Sequence, residues 1–258
     1  MPATYRQEAQ PPGVPPLELT GERTLPDVPA ENYWYRRHLV VYRWIALRCA
    51  GLKVVDLACG EGYGAAVLAE RAAEVAGVDA NPEAHEHARL KYTSSGLRFE
   101  RALVEEFDDG APWDAIVFLQ TIEHLTDPAS LLSRFASLLR PGGAAYVSTP
   151  NRLTLAPPGA ERSGNPWHVR EYTAAEFAAL LGPHFSSVEL IGVFHARKLR
   201  LHELALRAGW DRIHPALGMT DRFYRWFVPA IGERDFELRP AKPAQLDRAL
   251  DFLAVCRP

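Results

Sequence analysis

The spacing of apolar residues changes period several times along the chain. Over residues 31–50, Tyr35, Leu39, Tyr42 and Ile45 recur at helical spacing with no internal proline, which predicts a helix packed on the domain that follows. Beyond Gly51, short apolar runs at 53–58, 75–79, 97–102, 113–119, 144–149, 187–194 and 250–256 read as strands, and most are separated by helical stretches. This alternation predicts an α/β fold in which a mostly parallel sheet carries helices on both faces.

Punctuation residues support the same reading. Asn81-Pro82 and Asp127-Pro128 each place a capping side chain before a proline at the first helical turn. Arg140-Pro-Gly-Gly143 ends the second of these helices and turns the chain into a strand. Thr173 with Glu176 forms a capping box for a helix that follows a long loop rich in proline and glycine at 150–166. Residues 1–30 form a leader with seven prolines and little apolar periodicity, expected to be extended and ordered only in its last third. Residues 31–258 read as one domain. It includes an insertion at 197–246 with two helical stretches and exposed-looking Trp210, Trp226 and Phe227.

Composition narrows the partners. The net charge of −3 and the scatter of Lys and Arg give no general reason to bind nucleic acid. Three distant cysteines, Cys49, Cys59 and Cys256, form no CxxC pair and fit a reducing cytoplasm. No apolar run reaches membrane-spanning length, and the first residues do not read as a secretion signal.

The candidate chemistry starts at Val54-Val-Asp-Leu-Ala-Cys-Gly-Glu-Gly-Tyr-Gly64, where a strand runs into glycines at the point where a helix must begin. Absent side chains let the backbone approach a ligand, and a helix start offers free NH groups. No GK[ST] follows, which excludes a phosphate-cradling loop. Asp56 would repel a nearby pyrophosphate but suits the cationic amino group of a methionine moiety. Asp79 ends the second strand, where an acid can accept hydrogen bonds from ribose hydroxyls, as also happens in NAD sites.

Together with Gly77-Val-Asp79 and Leu139-Arg-Pro-Gly-Gly143, this loop resembles the sequential motifs of class I S-adenosylmethionine methyltransferases over roughly residues 50–195 and the final strand. The resemblance implies a Rossmann-like, seven-stranded sheet whose last strand is antiparallel, with the helical insertion before it. It implies S-adenosylmethionine as cofactor, with Asp56, Ala58, Gly60, Glu61 and Gly62 lining the methionine half. Asp79 and Ala80 would hold the ribose, Leu103 and Val104 would flank adenine, and Gln120 would lie under the sulfonium. Leu103 stands where relatives often carry an acid, which shifts adenine recognition to the backbone or to Glu105.

Methyl transfer to a hydroxyl also needs a proton acceptor, and ligands in open α/β sheets bind at the carboxyl ends of strands. Gln120-Thr-Ile-Glu-His124 lies at such an end. It resembles the Glu-x-x-Glu-His element of metal-assisted O-methyltransferases, with Gln120 in place of the first glutamate. Glu123, His124 and His168 could then hold magnesium or another divalent cation. In a metal-free version His124 or His168 acts as general base, and in a purely structural one these residues cap a helix and anchor a loop. Arg37, His38 and Tyr42 on the first helix are candidate contacts to the acceptor or the cofactor carboxylate, or else a solvated face with aromatic anchors. Thr20-Gly-Glu-Arg23, the aromatic and basic helix, and Asn165-Pro-Trp-His-Val-Arg-Glu-Tyr172 resemble bacterial methyltransferases of saccharide and glycan pathways. The expected reaction is therefore O-methylation of a small-molecule or oligosaccharide acceptor. The alternatives are a phenolic or quinone-like acceptor and a non-catalytic cofactor binder. The insertion's aromatics could stack on sugar, pack as a helix pair or form a homodimer contact.

Overall fold

The computed structural model describes residues 4–5, 10–21, 23–26, 28–110, 112–157 and 159–258. Residues 1–3, 6–9, 22 and 27 of the proline-rich leader lie outside the described residues, as do residue 111 and Pro158 of the long loop.

Eight strands form one sheet: β1 (Lys53–Leu57), β2 (Glu74–Asp79), β3 (Leu97–Arg101), β4 (Trp113–Leu119), β5 (Leu139–Pro150), β6 (Ser187–His195), β7 (Phe236–Pro240) and β8 (Asp251–Arg257). Their spatial order is β3-β2-β1-β4-β5-β8-β6-β7. The first five are parallel, and β8 inserts antiparallel between β5 and β6. The last strand is thus antiparallel as expected, but the expected count of seven is corrected to eight. The extra strand, β7, pairs antiparallel with the β6 edge. It comes from the insertion, where a single buried Phe236 and the charged Glu237 and Arg239 give too weak an apolar alternation to read as a strand.

Helix α1 (Asn32–Ala46) precedes the sheet, and α2 (Tyr63–Ala69), α3 (Pro82–Lys91), α4 (Pro128–Leu138) and α5 (Ala174–Leu181) cross between strands. Their starts follow the punctuation: Asn81 accepts from the Glu83 and Ala84 amides, Asp127 from the Ser130 amide, and Thr173 with Glu176 closes a capping box. Strand alternation divides the core into two layers. In β1, Val55 and Leu57 face the layer that holds Phe118, Phe135 and Phe177, while Val54 faces the layer under α1 with Leu39, Ile45 and Leu68. Asp56 has the parity of Val54, so its side chain belongs to the α1 layer.

Two expectations change here. Val14 and Leu17 of the leader are buried, Leu17 beside Leu25 and Val28, and His87 Nδ1 lies 2.7 Å from the Pro15 carbonyl, so order begins well before the last third. Prolines hold this segment extended, and its few apolar residues anchor it singly, without a period that sequence inspection could detect. The insertion contains four helices rather than two, α6 (Arg197–Arg207), α7 (Trp210–Ala216), α8 (Thr220–Phe227) and the one-turn α9 (Pro243–Leu246). Trp210, Phe223, Tyr224 and Phe227 turn inward around His202 and His214, whereas Trp226 is exposed.

Candidate cofactor and acceptor sites

At the carboxyl ends of β1, β2 and β4 lies a cavity of about 360 Å³. Ala58, Gly60, Glu61, Asp79, Ala80, Leu103, Val104 and Gln120 of the expected cofactor set line it, as does Glu105. Ala58 and Gln120 carry φ of 57° and 52°, a left-handed conformation that non-glycine residues rarely adopt. Both follow strand ends at the cavity wall, where the surrounding hydrogen bonds impose the turn. Gln120 N donates to the Ser148 carbonyl at 3.1 Å, and its side-chain amide donates to Ser148 Oγ at 3.0 Å.

The loop's amide groups are already engaged. Asp79 accepts from Gly60 N at 2.8 Å and from Asn81 N at 2.9 Å, and Glu61 accepts from Tyr63 N at 3.1 Å. With the Gly60 and Tyr63 amides already bonded to carboxylates, the loop does not offer them to a pyrophosphate, which argues against the NAD alternative. Glu61 is buried, and its carboxylate also meets Tyr92, His87 and Lys91. It therefore ties the loop to α3 and lines the cavity without offering a free charge.

Two of the expected cofactor residues stand back from the cavity. Gly62 (φ 95°) packs under α3, where an added Cβ would lie 2.7 Å from Ala88 Cβ, so close packing and the left-handed backbone require a glycine there. Asp56 is fully buried in the α1 layer. Tyr42, which does line the cavity, donates to Asp56 Oδ1 at 3.3 Å, while Oδ2 has no hydrogen-bond partner among the described residues. Burial pushes the Asp56 carboxyl up to about 8. Gly64 makes room for the same tyrosine: a Cβ there would strike the Tyr42 ring at 2.1 Å.

A second cavity, of about 350 Å³, adjoins the first and shares Arg23, Thr24, His38, Gln120 and His124 with it. Its far wall holds Glu123, His168, Asn165, Ser163 and Trp34. Glu123 and His124 sit on a short 3-10 turn after β4, while His168 arrives from the long loop. Ligand atoms of Glu123, His124 and His168 all lie within 4.8 Å of one another. His124 Nδ1 lies 2.9 Å from the Trp167 carbonyl, and His168 Nδ1 lies 2.7 Å from Glu171 Oε1. Each contact fixes Nδ1 as the protonated nitrogen and leaves Nε2 as the acceptor. Asn165 Nδ2 is 3.0 Å from His168 Nε2. Burial raises the Glu123 carboxyl to about 8, against a hydrogen bond from Thr149 at 3.1 Å. The helix-capping alternative for Glu123 and His124 does not hold, since Asp127 caps α4.

Of the α1 candidates, His38 and Tyr42 face these cavities and Arg37 does not. Arg37 is buried in a bidentate pair with Asp251 and donates to the Leu250 carbonyl at 2.7 Å, which pins α1 to β8. Its place on the helix puts it toward β8, so the expected acceptor contact is corrected to a structural ion pair. Burial lowers His38 to about 4, leaving it neutral near pH 7. No residue of α6 to α8 lines either cavity, so the insertion does not cap the site. Sequence reasoning assigned no role to Trp34, Ser163 or Asn165. Trp34 could have been suspected as a large apolar residue off the buried stripe of α1.

Residues 33–204 match the methyltransferase-domain family. A protein of Mycolicibacterium smegmatis named "Probable S-adenosylmethionine-dependent methyltransferase" is 41% identical over 246 residues, covering 93% of this chain and 94% of its own. A ubiquinone biosynthesis O-methyltransferase of Xylella fastidiosa is 38% identical over 111 residues, 42% of this chain and 45% of that protein. Among solved structures, an S-adenosylmethionine-dependent methyltransferase from Thermotoga maritima superposes with a TM-score of 0.59 at 14% identity, over 88% of this chain and 93% of that one, a likeness of fold. The chain therefore belongs to the class I S-adenosylmethionine-dependent methyltransferases.

Proposed function

We propose that the enzyme methylates a hydroxyl oxygen of a sugar, glycoside or oligosaccharide bound in the second cavity. The observation that carries this reading is the lining of that cavity. Most of its lining residues carry side chains that can hydrogen-bond, and Trp34 offers one aromatic surface, a combination that can take the hydroxyls and the apolar face of a sugar ring.

S-adenosylmethionine supplies an electrophilic methyl carbon with its own leaving group, so the protein's tasks are alignment and proton removal. In this reading Asp79 and Ala80 hold the ribose, Leu103 and Val104 flank adenine, and Gln120 lies where the two cavities meet. Asp56 accepts from the Tyr42 hydroxyl and so positions it at the wall of the cofactor cavity, with the phenol oxygen's lone pairs available to the methionine end. His124 or His168 accepts the acceptor's proton at Nε2, for His168 with the acceptor hydroxyl displacing Asn165 Nδ2 from that nitrogen, and Glu171 keeps His168 in the required tautomer.

Glu123, His124 and His168 also fit a divalent cation by donor type: two imidazoles with Nδ1 already bonded and one carboxylate without a cationic side-chain partner among the described residues. Such an ion would lower the pKa of the acceptor hydroxyl and keep Glu123 ionised. The similarity to ubiquinone biosynthesis O-methyltransferases favours a second reading, a phenolic acceptor. A panel of saccharides, glycosides and catechols incubated with S-adenosylmethionine separates the two, with methylated products identified by mass spectrometry. Turnover confined to catechols rejects the saccharide reading.

A further inference from the structure

The insertion carries a surface that the methyl-transfer site does not use. Trp210, Phe223, Tyr224 and Phe227 pack together with His202 and His214, which consumes the inward faces of α6, α7 and α8. Even so, six of the twelve exposed large apolar side chains among the described residues lie between 201 and 226: Leu201, Leu204, Ile213, Leu217, Met219 and Trp226. Exposed arginines are interleaved with them. On α8, Arg222 and Arg225 flank Trp226 on the outward face. On α6, Arg197 stands one turn before Leu201, and Arg200 one turn before Leu204. Arg197, Arg200, Arg212, Arg222 and Arg225 form no ion pair among the described residues. Residues 197–227 hold seven cationic side chains and three carboxylates, within a chain of net charge −3.

We infer that α6 to α8 dock the enzyme onto an anionic lipid surface, the arginines meeting headgroup phosphates while the leucines and Trp226 enter the acyl boundary. Charge complementarity selects this occupant. Unpaired cations interleaved with aliphatic side chains match a surface that is anionic outside and apolar beneath. A nucleic acid would leave Leu201, Leu204, Ile213 and Leu217 nothing to enter, and a second copy of the same surface would set arginine against arginine. The association is peripheral, because no helix among the described residues is long and apolar enough to cross a membrane.

Co-sedimentation of the full chain with vesicles tests this. Binding to vesicles containing about one third phosphatidylglycerol is expected to exceed binding to pure phosphatidylcholine by about tenfold or more, and to fall away in about 0.5 M salt. Trp226→Ser with Leu201→Ser, and separately Arg222→Glu with Arg225→Glu, should each lower it about fivefold or more, with affinity for S-adenosylmethionine unchanged. Equal binding to both vesicle types, or none to either at low salt, overturns the inference. So does a dimer in light scattering that Trp226→Ser converts to monomer, which would assign the surface to self-association.

Discussion

The His124 and His168 rings stand edge to face, with centroids 5.0 Å apart, although one follows β4 and the other comes from a loop more than forty residues later. Only His124 lines the first cavity, while both line the second, the proposed acceptor site. His168→Ala is therefore expected to lower kcat by about 10²-fold or more, the range for loss of a positioned base or ligand, with little change in S-adenosylmethionine affinity. Turnover at the wild-type rate would remove His168 from the mechanism.

Chelation separates the two forms of proton removal. If a cation assists, EDTA should abolish turnover, and added magnesium or manganese should restore it. Full activity in EDTA leaves His124 or His168 as a general base and rejects the ion.

The buried Asp56 makes stability depend on pH. Its carboxyl, ordinarily near 3.8, titrates near about 8 when folded, because burial opposes the charge. Between these values the unfolded chain is ionised while the folded one keeps its proton. This contribution to stability is therefore complete below about pH 4 and is lost as pH rises toward about 8. Melting curves from about pH 5 to 9 should show a shallower fall in Tm for Asp56→Asn than for the wild type. Parallel profiles would refute the assignment.

Arg37→Met should act on stability, not on acceptor recognition. It leaves Asp251 buried and unpaired, which costs about 3–5 kcal/mol. Denaturant titration of the variant should show that loss, with KM for the acceptor unchanged in protein that remains folded. A raised KM at normal stability would return Arg37 to the acceptor site.

Much of the fold was legible because its signals are local. Caps at Asn81, Asp127 and Thr173 and the apolar runs of β1 to β6 and β8 each lie within a few residues of sequence. The misses depend on contacts distant in sequence. Strand β7 is specified by pairing with β6, the placement of the leader by the contact of the Pro15 carbonyl with His87, and the role of Arg37 by Asp251, 214 residues away. At the site, the loop glycines and Asp79 could be read from sequence. Which side chains face the cavity and which face the core depends on neighbours distant in sequence, as with Gly62 packed on Ala88 and Asp56 held under Tyr42 in the α1 layer.

The most direct test of the account follows the methyl group itself. The enzyme is incubated with S-adenosylmethionine carrying a ¹³C-labelled methyl and with saccharide acceptors, and the product is read by NMR. The account predicts a labelled methoxy group on a sugar carbon, absent when His124 and His168 are both replaced by alanine. Label found only on an aromatic oxygen or on nitrogen would contradict it, as would no transfer by protein that binds the cofactor.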